Sequence, residues 1–174
     1  MAQIISFGGY TPQIDPTAYI AESAVIIGHV IIKEGAGIWP NTVIRGDENS
    51  IIIGRYVDIQ DNSTVHVQPD QSLEIGDYTM IGHNALVHGA FVGTGCLIGM
   101  GAVLMPYSEV GNESIIGAGT MVTQRKRIPP RSLAYGMPFR VIRSVTDEEI
   151  AGVRTDVMEY YELAQKYKKN RRHE

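Results

Sequence analysis

The chain has 174 residues, of which 44% are hydrophobic and 20% are charged, and this is the range of one compact domain. Its formal net charge of −4, with acidic and basic residues mixed along most of its length, excludes the basic surface expected of a nucleic-acid-binding protein. Its single cysteine excludes an intramolecular disulfide, and neither a targeting leader nor a long apolar run opens the chain. We therefore expect a cytoplasmic protein with no membrane anchor.

Aliphatic residues recur with a period of six through most of the chain. The repeat positions are Ile14, Ile20, Ile26, Ile32, Ile38, Ile44, Ile53, Ile59, Val65, Ile75, Ile81, Val87, Val92, Ile98, Leu104, Val110, Ile116, Val122 and Ile128. Short insertions follow Ile44 and Val65, and one residue is missing after Val87. An amphipathic helix needs apolar spacings of three and four, and a half-buried strand needs strict alternation, so a period of six indicates neither.

The period instead predicts a coil in which each six-residue unit forms one short flat side and a turn. Three units close a triangular coil of about eighteen residues, and successive coils pair as parallel strands. Small residues also recur, which suits tight corners: Ala24, Ala36, Thr42, Ser63, Thr79, Ala85, Cys96, Ala102, Ser108, Ser114 and Thr120. The pattern resembles the left-handed parallel β-helix of hexapeptide-repeat proteins over roughly residues 10–135, and only that resemblance implies the left hand.

The repeat is expected to end at Pro129 and Pro130, with segment 136–138 (Gly-Met-Pro) leading the chain out of the coil. We expect a mainly β domain over residues 1–145. The C-terminal segment, residues 146–174, should form a helix that packs outside the β-helix as part of the same domain.

That helix has both a start signal and an apolar face in the sequence. Thr146 and Glu149 have the spacing of a capping box. The apolar stripe consists of Ile150, Val153, Val157, Tyr160, Ala164 and Tyr167. This stripe is the face that we expect to contact the β-helix.

The repeat register places two histidines in one outward-facing column. The residues that follow the aliphatic position on one side of three successive coils are Arg45, His66 and His88. His66 and His88 should therefore lie one coil apart, at roughly the 4.8 Å spacing of paired strands. Both imidazoles can then reach one cation at the zinc–nitrogen distance of about 2.0–2.1 Å.

The third histidine, His83, belongs to the preceding side, above Asp61 in the coil beneath, and should point toward the neighbouring face of the triangle. In a threefold ring the edge of one subunit meets the face of the next, so a neighbour's His83 can complete the site. We therefore predict a homotrimer with a metal ion at each interface. Nitrogen ligands favour zinc, with iron or cobalt as alternatives. His29 and His173 are not expected to join the site.

Several segments resemble the gamma-class carbonic anhydrases: residues 45–48 (Arg-Gly-Asp-Glu), Gln60 with Asp61, and His66 with residues 83–89 (His-Asn-Ala-Leu-Val-His-Gly). The order and spacing within 83–89 are specific. The resemblance implies that the three histidines bind zinc, two from one subunit and one from its neighbour, which agrees with the register. It also implies zinc-dependent reversible hydration of carbon dioxide to bicarbonate.

The resemblance implies roles for the polar residues as well. Arg45 would form ion pairs between subunits with Asp47 and Asp61, since a planar guanidinium suits bidentate pairing. Gln60 would lie beside the metal-bound solvent, where an amide can orient a hydroxide or a bicarbonate oxygen. For Arg45, Asp47 and Asp61 the alternative is adhesion of the trimer without a role in turnover.

The sequence departs from the family at the residue that carries a proton to solvent. The family prototype has an acidic loop after its first ligand, whereas residues 67–72 form a short stretch with Asp70 as the one acid. Glu48 is the candidate substitute. Tyr160 on the C-terminal helix is a further candidate for the pocket, with core packing as the alternative.

Two other functions stay open at this point. One is a non-catalytic or accessory trimer in which the metal serves assembly, or a binder of bicarbonate or a thioester. The other is a coenzyme A-dependent acyltransferase, a common activity of hexapeptide-repeat proteins, although three clustered histidines exceed the single base that such an enzyme needs.

Overall fold

The computed structural model describes residues 2–170 and confirms a mainly β, parallel β-solenoid of about seven turns with one C-terminal helix. The strands, numbered β1 to β20 in chain order, are Gln3–Ile5, Gln13–Ile14, Tyr19–Ile20, Val25–Ile32, Gly37–Ile38, Val43–Ile53, Asp58–Ile59, Thr64–His66, Leu73–Ile75, Met80–Ile81, Leu86–His88, Phe91–Val92, Leu97–Ile98, Val103–Leu104, Glu109–Val110, Ile115–Ile116, Met121–Val122, Arg127–Ile128, Ser132–Gly136 and Phe139–Ser144. The helix α1 spans Asp147–Asn170.

Each coil has three flat sides, and equivalent sides of successive coils stack on one another along the solenoid. The histidine side contains β8, β11, β14 and β17 with β1 and the first parts of β4 and β6. The helix side contains β3, β5, β7, β10, β13, β16 and β19, and α1 contacts its first three strands. The open side contains β2, β9, β12, β15 and β18 with the second parts of β4 and β6. The first insertion is therefore part of β6, which bends around the corner between the histidine and open sides.

The aliphatic residues of the repeat form the interior of the solenoid. From Ile26 onward every one of them is buried, whereas Ile14 and Ile20 in the first coil are only partly buried. All of the small corner residues are buried too. Ser63 Oγ donates to the Gly82 carbonyl at 3.0 Å, and Thr79 Oγ1 donates to the Gly93 carbonyl at 2.7 Å, whereas the buried Ser108 hydroxyl has no hydrogen-bond partner within the described residues. The core is thus a stack of aliphatic layers closed by small residues.

The corner between the helix and histidine sides requires a left-handed backbone. Asn41, Asn62 and Asn84 occupy it in successive coils with φ of 60°, 61° and 57°. Asparagine adopts this conformation more readily than most residues, and the Asn41 amide also donates to the Asn62 amide oxygen at 3.2 Å. These turns bring each coil into register with the next.

The prediction that the repeat ends at Pro129 and Pro130 is wrong by one strand. Strand β19 still pairs in parallel with β16, and Ala134 fills the interior. The parallel winding ends at segment 136–138, which forms the turn of a hairpin through which β20 returns antiparallel to β19. Small Ala134 occupies a position that the aliphatic pattern did not mark.

The helix begins where the capping box predicts. The Glu149 carboxylate accepts from the Thr146 backbone N–H at 2.9 Å, and Thr146 Oγ1 accepts from the Glu149 N–H at 3.2 Å. Val153, Val157 and Ala164 are buried against the solenoid. This packing supports one domain for helix and solenoid, which stays a prediction. Within residues 2–170, no helix has the length and apolar character to span a membrane.

Aromatic rings join the helix to the solenoid. The rings of Tyr160 and Tyr167 lie edge-on to Trp39, with centroid distances of 5.7 and 5.5 Å. Tyr167 nevertheless stays about half exposed, at 49%. Farther toward the start of α1, the Arg154 guanidinium lies 3.2 Å from the centroid of the Tyr78 ring. The helix is thereby fixed along the helix side.

Truncation of an inward-facing residue should be far more costly than truncation of an outward-facing one. Ile98→Ala removes a fully buried side chain and should lower the free energy of unfolding by about 2–5 kcal/mol. Phe91→Ala, on the open side and 41% exposed, should cost about 1 kcal/mol or less. Urea denaturation at one protein concentration measures both. Equal losses would contradict the assignment of inside and outside.

Candidate functional site

The structure places His66 and His88 together at the end of the histidine side. The two residues are direct register partners on β8 and β11, and their ring centroids lie 4.9 Å apart. Arg45 on β6 pairs with His66 in the coil below, so the predicted column is present. Desolvation, followed by the charge of His66, lowers the pKa of His88. A neutral imidazole is the form that binds a metal.

Acidic residues surround this histidine pair. Asp47 accepts a 2.5 Å hydrogen bond from Arg45 Nη1, and its second oxygen lies 3.1 Å from His66 Nε2. Burial opposes the charge on Asp47, but these two hydrogen bonds outweigh it and hold the pKa of Asp47 below its ordinary value. Glu48 lies farther out, with a carboxylate oxygen 3.9 Å from His66 Nε2. We call His66, His88 and these three residues of β6 the two-histidine half-site.

A further contact to this half-site was missed by the sequence analysis. The Gln68 amide nitrogen lies 2.5 Å from Nε2 of His88. Gln68 belongs to the short loop after β8, where it faces Gln71 across an isolated bridge. The one signal in the sequence was its place two residues after His66. Any ligand of the His88 Nε2 atom has to displace this amide.

His83 lies at the opposite edge of the histidine side. It follows β10 at the corner with the helix side, and its Nδ1 is 3.1 Å from an oxygen of Asp61 in the coil beneath, as the register predicted. Gln60 and Tyr160 line the same cleft as His83. Desolvation, followed by the charges of Asp58 and Asp61, raises the pKa of Tyr160. We call His83, Asp61, Gln60 and Tyr160 the one-histidine half-site.

The cleft at the one-histidine half-site lies between α1 and the upper coils of the helix side. It has a volume of about 440 Å³. Its walls are mostly apolar: Met80, Leu97, Met100, Ile115 and Ile116. The Tyr160 ring packs on Trp39, as the core-packing alternative expected, and the residue also lines the cleft, as expected of a pocket residue.

The two half-sites are on the same chain but do not meet within it. His83 precedes the turn before β11 and His88 is the last residue of β11, so the two residues occupy opposite edges of one flat side. Within residues 2–170, no group of three or more His, Cys, Asp or Glu side chains is placed to hold one metal ion. Arg45 pairs with Asp47 of its own chain, whereas Asp61 pairs with His83 at the far edge. The pairing of Arg45 with Asp61 between subunits stays a prediction.

The outward surface between the half-sites is apolar. Val43, Leu86, Val103 and Met121 are register partners in one column on the histidine side, interrupted by Thr64. All of them are partly exposed, and α1 covers a different side. A mostly apolar, partly exposed column of this kind is typical of a surface that is covered by a partner.

The remaining histidines stay apart from both half-sites, as far as the structure describes them. His29 stacks on the Tyr10 ring with a centroid distance of 4.1 Å, near the start of the solenoid. His173 lies outside the described residues. Gly46, between Arg45 and Asp47, lets β6 lie tightly on β4, because a Cβ there would come within 2.8 Å of the His29 carbonyl oxygen.

Comparisons with known proteins agree with this architecture. A family model described as bacterial transferase hexapeptide (six repeats) matches residues 89–124. A protein of Geobacillus kaustophilus named carbonic anhydrase is 43% identical over 95% of this chain and 91% of its own length. The carnitine operon protein CaiE of Escherichia coli is 37% identical over 91% of this chain and 81% of its own. A crystal structure of a putative acetyltransferase from Bacillus cereus superimposes with a TM-score of 0.94, at 39% identity, covering 97% and 98% of the two chains.

These findings first define the class: a left-handed parallel β-helix built from hexapeptide repeats. The chain belongs to the gamma-class carbonic anhydrase-like family of such proteins. Curated relatives that carry the carbonic anhydrase name are lyases, so the family supports an enzyme of this class.

Proposed function

We propose that this protein catalyses the zinc-dependent reversible hydration of carbon dioxide to bicarbonate, at sites shared between subunits of a homotrimer. The observation that carries the proposal is the division of the residues that match the family motif into two half-sites at opposite edges of one side of the solenoid. Neither half has enough ligands alone. A neighbouring copy that presents its one-histidine half-site to the two-histidine half-site supplies the third imidazole.

Ring closure explains why three copies suit this geometry. An interface between two different edges is heterologous, and a heterologous interface closes into a ring when the rotation per subunit permits. The apolar column on the histidine side lies between the half-sites and would be covered in such a ring. The hexapeptide-repeat family is typically trimeric, which supports the same assembly.

The donor set fits a zinc ion. His66 and His88 project from adjacent coils with ring centroids 4.9 Å apart, and His83 projects at the corner that would meet them. Three imidazoles suit zinc and leave one position for solvent. Bound zinc would supply the Lewis acidity that makes water nucleophilic near neutral pH. Iron or cobalt would also accept these ligands.

The chain's own residues would orient the reactants and remove the proton. Asp47 accepts from the imidazole of His66 and from Arg45, so it can fix the orientation of both side chains. Gln60 would present its amide to the reacting oxygens from the neighbouring half-site. Glu48 is 44% exposed, so its carboxylate can exchange a proton with buffer. The single cysteine and the mixed charges are in keeping with a cytoplasmic location.

A second candidate function comes from one comparison, the match to the Bacillus cereus structure named a putative acetyltransferase. An acyltransferase would use the cleft between α1 and the solenoid, with His83 as its base. An accessory trimer, in which the metal only holds subunits together, is the third candidate. Activity measurements separate the three.

Stopped-flow hydration of carbon dioxide on metal-quantified protein tests the proposal directly. The rate should rise with zinc content, and His88→Ala should reduce it by about a hundredfold or more, since one ligand is lost. His29→Ala is the matched control and should retain full activity. Stoichiometric zinc without hydration above the buffer rate would favour the accessory trimer. Acceptor-dependent consumption of acetyl-coenzyme A would favour the transferase.

Replacement of Glu48 by glutamine tests the proton carrier. Glu48→Gln should slow hydration by about tenfold at low buffer and much less at high buffer, because buffer can accept the proton in place of the carboxylate. Glu74→Gln, an exposed change on the open side, is the control and should leave both rates unchanged. Equal loss at both buffer concentrations would contradict the shuttle role.

A further inference from the structure

Gln68 contacts the imidazole of His88 at the ring nitrogen that a metal ion would need. Its amide nitrogen lies 2.5 Å from His88 Nε2. An amide nitrogen donates hydrogen bonds and does not accept them, so His88 Nε2 is the acceptor and carries no proton. In a neutral imidazole the proton is then on Nδ1. Gln68 therefore selects the tautomer of His88 that can ligate a metal through Nε2.

The other imidazole of the two-histidine half-site faces the opposite kind of group. His66 Nε2 lies 3.1 Å from a carboxylate oxygen of Asp47, and an ionised carboxylate only accepts. A carboxylate thus faces His66, whereas an amide donor reaches His88. The unprotonated Nε2 of His88 has a single lone pair in the ring plane, which cannot serve an amide N–H and a metal ion together. Gln68 and the ion compete for the same atom.

The loop between β8 and β9 fixes the backbone of Gln68. Gln68 and Gln71 form an isolated antiparallel bridge, in which the Gln71 N–H donates to the Gln68 carbonyl at 3.3 Å. From β6 in the coil beneath, the Asn49 amide donates to the Pro69 carbonyl at 3.0 Å. The loop is therefore held both by its own backbone and by the neighbouring coil.

The one acid of this loop anchors it to a coil farther along the solenoid. Asp70 accepts from the Tyr107 hydroxyl at 2.7 Å. Tyr107 lies in the turn between β14 and β15, and its backbone N–H donates to the carbonyl of Gly89 at 2.7 Å. Gly89 directly follows His88. Tyr107 thus joins the loop that carries Gln68 to the turn that follows His88.

The side chain of Gln68 passes over that turn, where glycine leaves it room. A Cβ at Gly89 would lie 2.5 Å from Cγ of Gln68. Gly89 also has a left-handed φ of 53°, which glycine adopts without strain. The loop, its anchor and this glycine together aim one amide at one ring nitrogen.

We propose that Gln68 is a positioning residue of the metal site, whose amide holds His88 in the metal-binding tautomer and yields Nε2 to the ion when the ion binds. The inference rests on the proposed role of the three histidines as metal ligands, which it deepens. A neutral hydrogen bond changes an equilibrium constant by about two- to tenfold. Gln68 should weaken zinc binding by that factor, because its bond to His88 has to break.

Zinc competition against a chromophoric chelator, on the assembled protein, tests this competition. Gln68→Ala should bind zinc about two- to tenfold more tightly than the wild type. Gln68→Asn should behave like the alanine variant, since its amide is one methylene too short to reach Nε2. Tyr107→Phe, which removes the hydroxyl that holds Asp70, should tighten binding by a smaller factor. Ser72→Ala, an exposed change in the same loop, is the matched control and should bind zinc like the wild type.

Histidine ¹⁵N chemical shifts give a second readout that needs neither zinc nor turnover. They are measured slightly above neutral pH on protein stripped of metal by a chelator, with the His88 resonances identified by their absence in His88→Ala. Wild-type His88 should be protonated at Nδ1 and unprotonated at Nε2. In Gln68→Ala the population with a proton on Nε2 should rise, because no amide then donates to that nitrogen.

The outcomes separate this inference from the proposed function. A proton on His88 Nε2 in the wild type, or zinc affinity that Gln68→Ala leaves unchanged or weakens, would overturn the inference. Carbon dioxide hydration by such a protein would leave the proposed function standing without it. Zinc binding and tautomers that respond to Gln68→Ala as expected, in a protein that does not hydrate carbon dioxide, would refute the proposed function and support the positioning role.

Discussion

The stacking of successive coils is the constraint on which the rest of this structure depends. Paired strands lie at a spacing of about 4.8 Å, so side chains at equivalent positions of adjacent coils are forced into contact. This brings His66 beneath His88. The same flat side that aligns them also holds His83 at its other edge, with a turn and a strand in between. One solenoid therefore brings two of the three proposed metal ligands together and keeps the third away.

This geometry relates assembly to chemistry. The proposed site, split between two edges, would exist only when copies meet, so ligand binding and subunit association would stabilise each other. The fold alone does not decide the reaction, since related solenoids carry both carbonic anhydrase and acetyltransferase names. The discriminating features are local: paired imidazoles with acidic neighbours at one edge, and His83 beside Asp61 with a cleft lined by Gln60 at the other.

Much of the fold and of the histidine geometry could be predicted from the sequence because the solenoid has a one-dimensional order. Counting residues gave the partners of each coil, and Arg45, His66 and His88 lie in the predicted column. Contacts that depend on side-chain conformation could not be predicted by counting residues along the repeat. Gln68 reaches His88 from an irregular loop, and the Trp39 indole donates to the buried carboxylate of Asp58 in the adjacent coil. Strand β19 was not predicted as part of the repeat, because its interior position is filled by the methyl group of Ala134 and not by a larger aliphatic side chain.

Complementation between two inactive variants tests the shared site most directly. Pure trimers of His66→Ala or of His83→Ala each lack one ligand at every interface. When the two are co-assembled in equal amounts, about a quarter of interfaces should combine an intact two-histidine half-site with an intact His83. Tight zinc binding and carbon dioxide hydration should return to about a quarter of the wild-type level. Mixed assemblies that bind no more zinc than the separate variants would contradict a site divided between subunits.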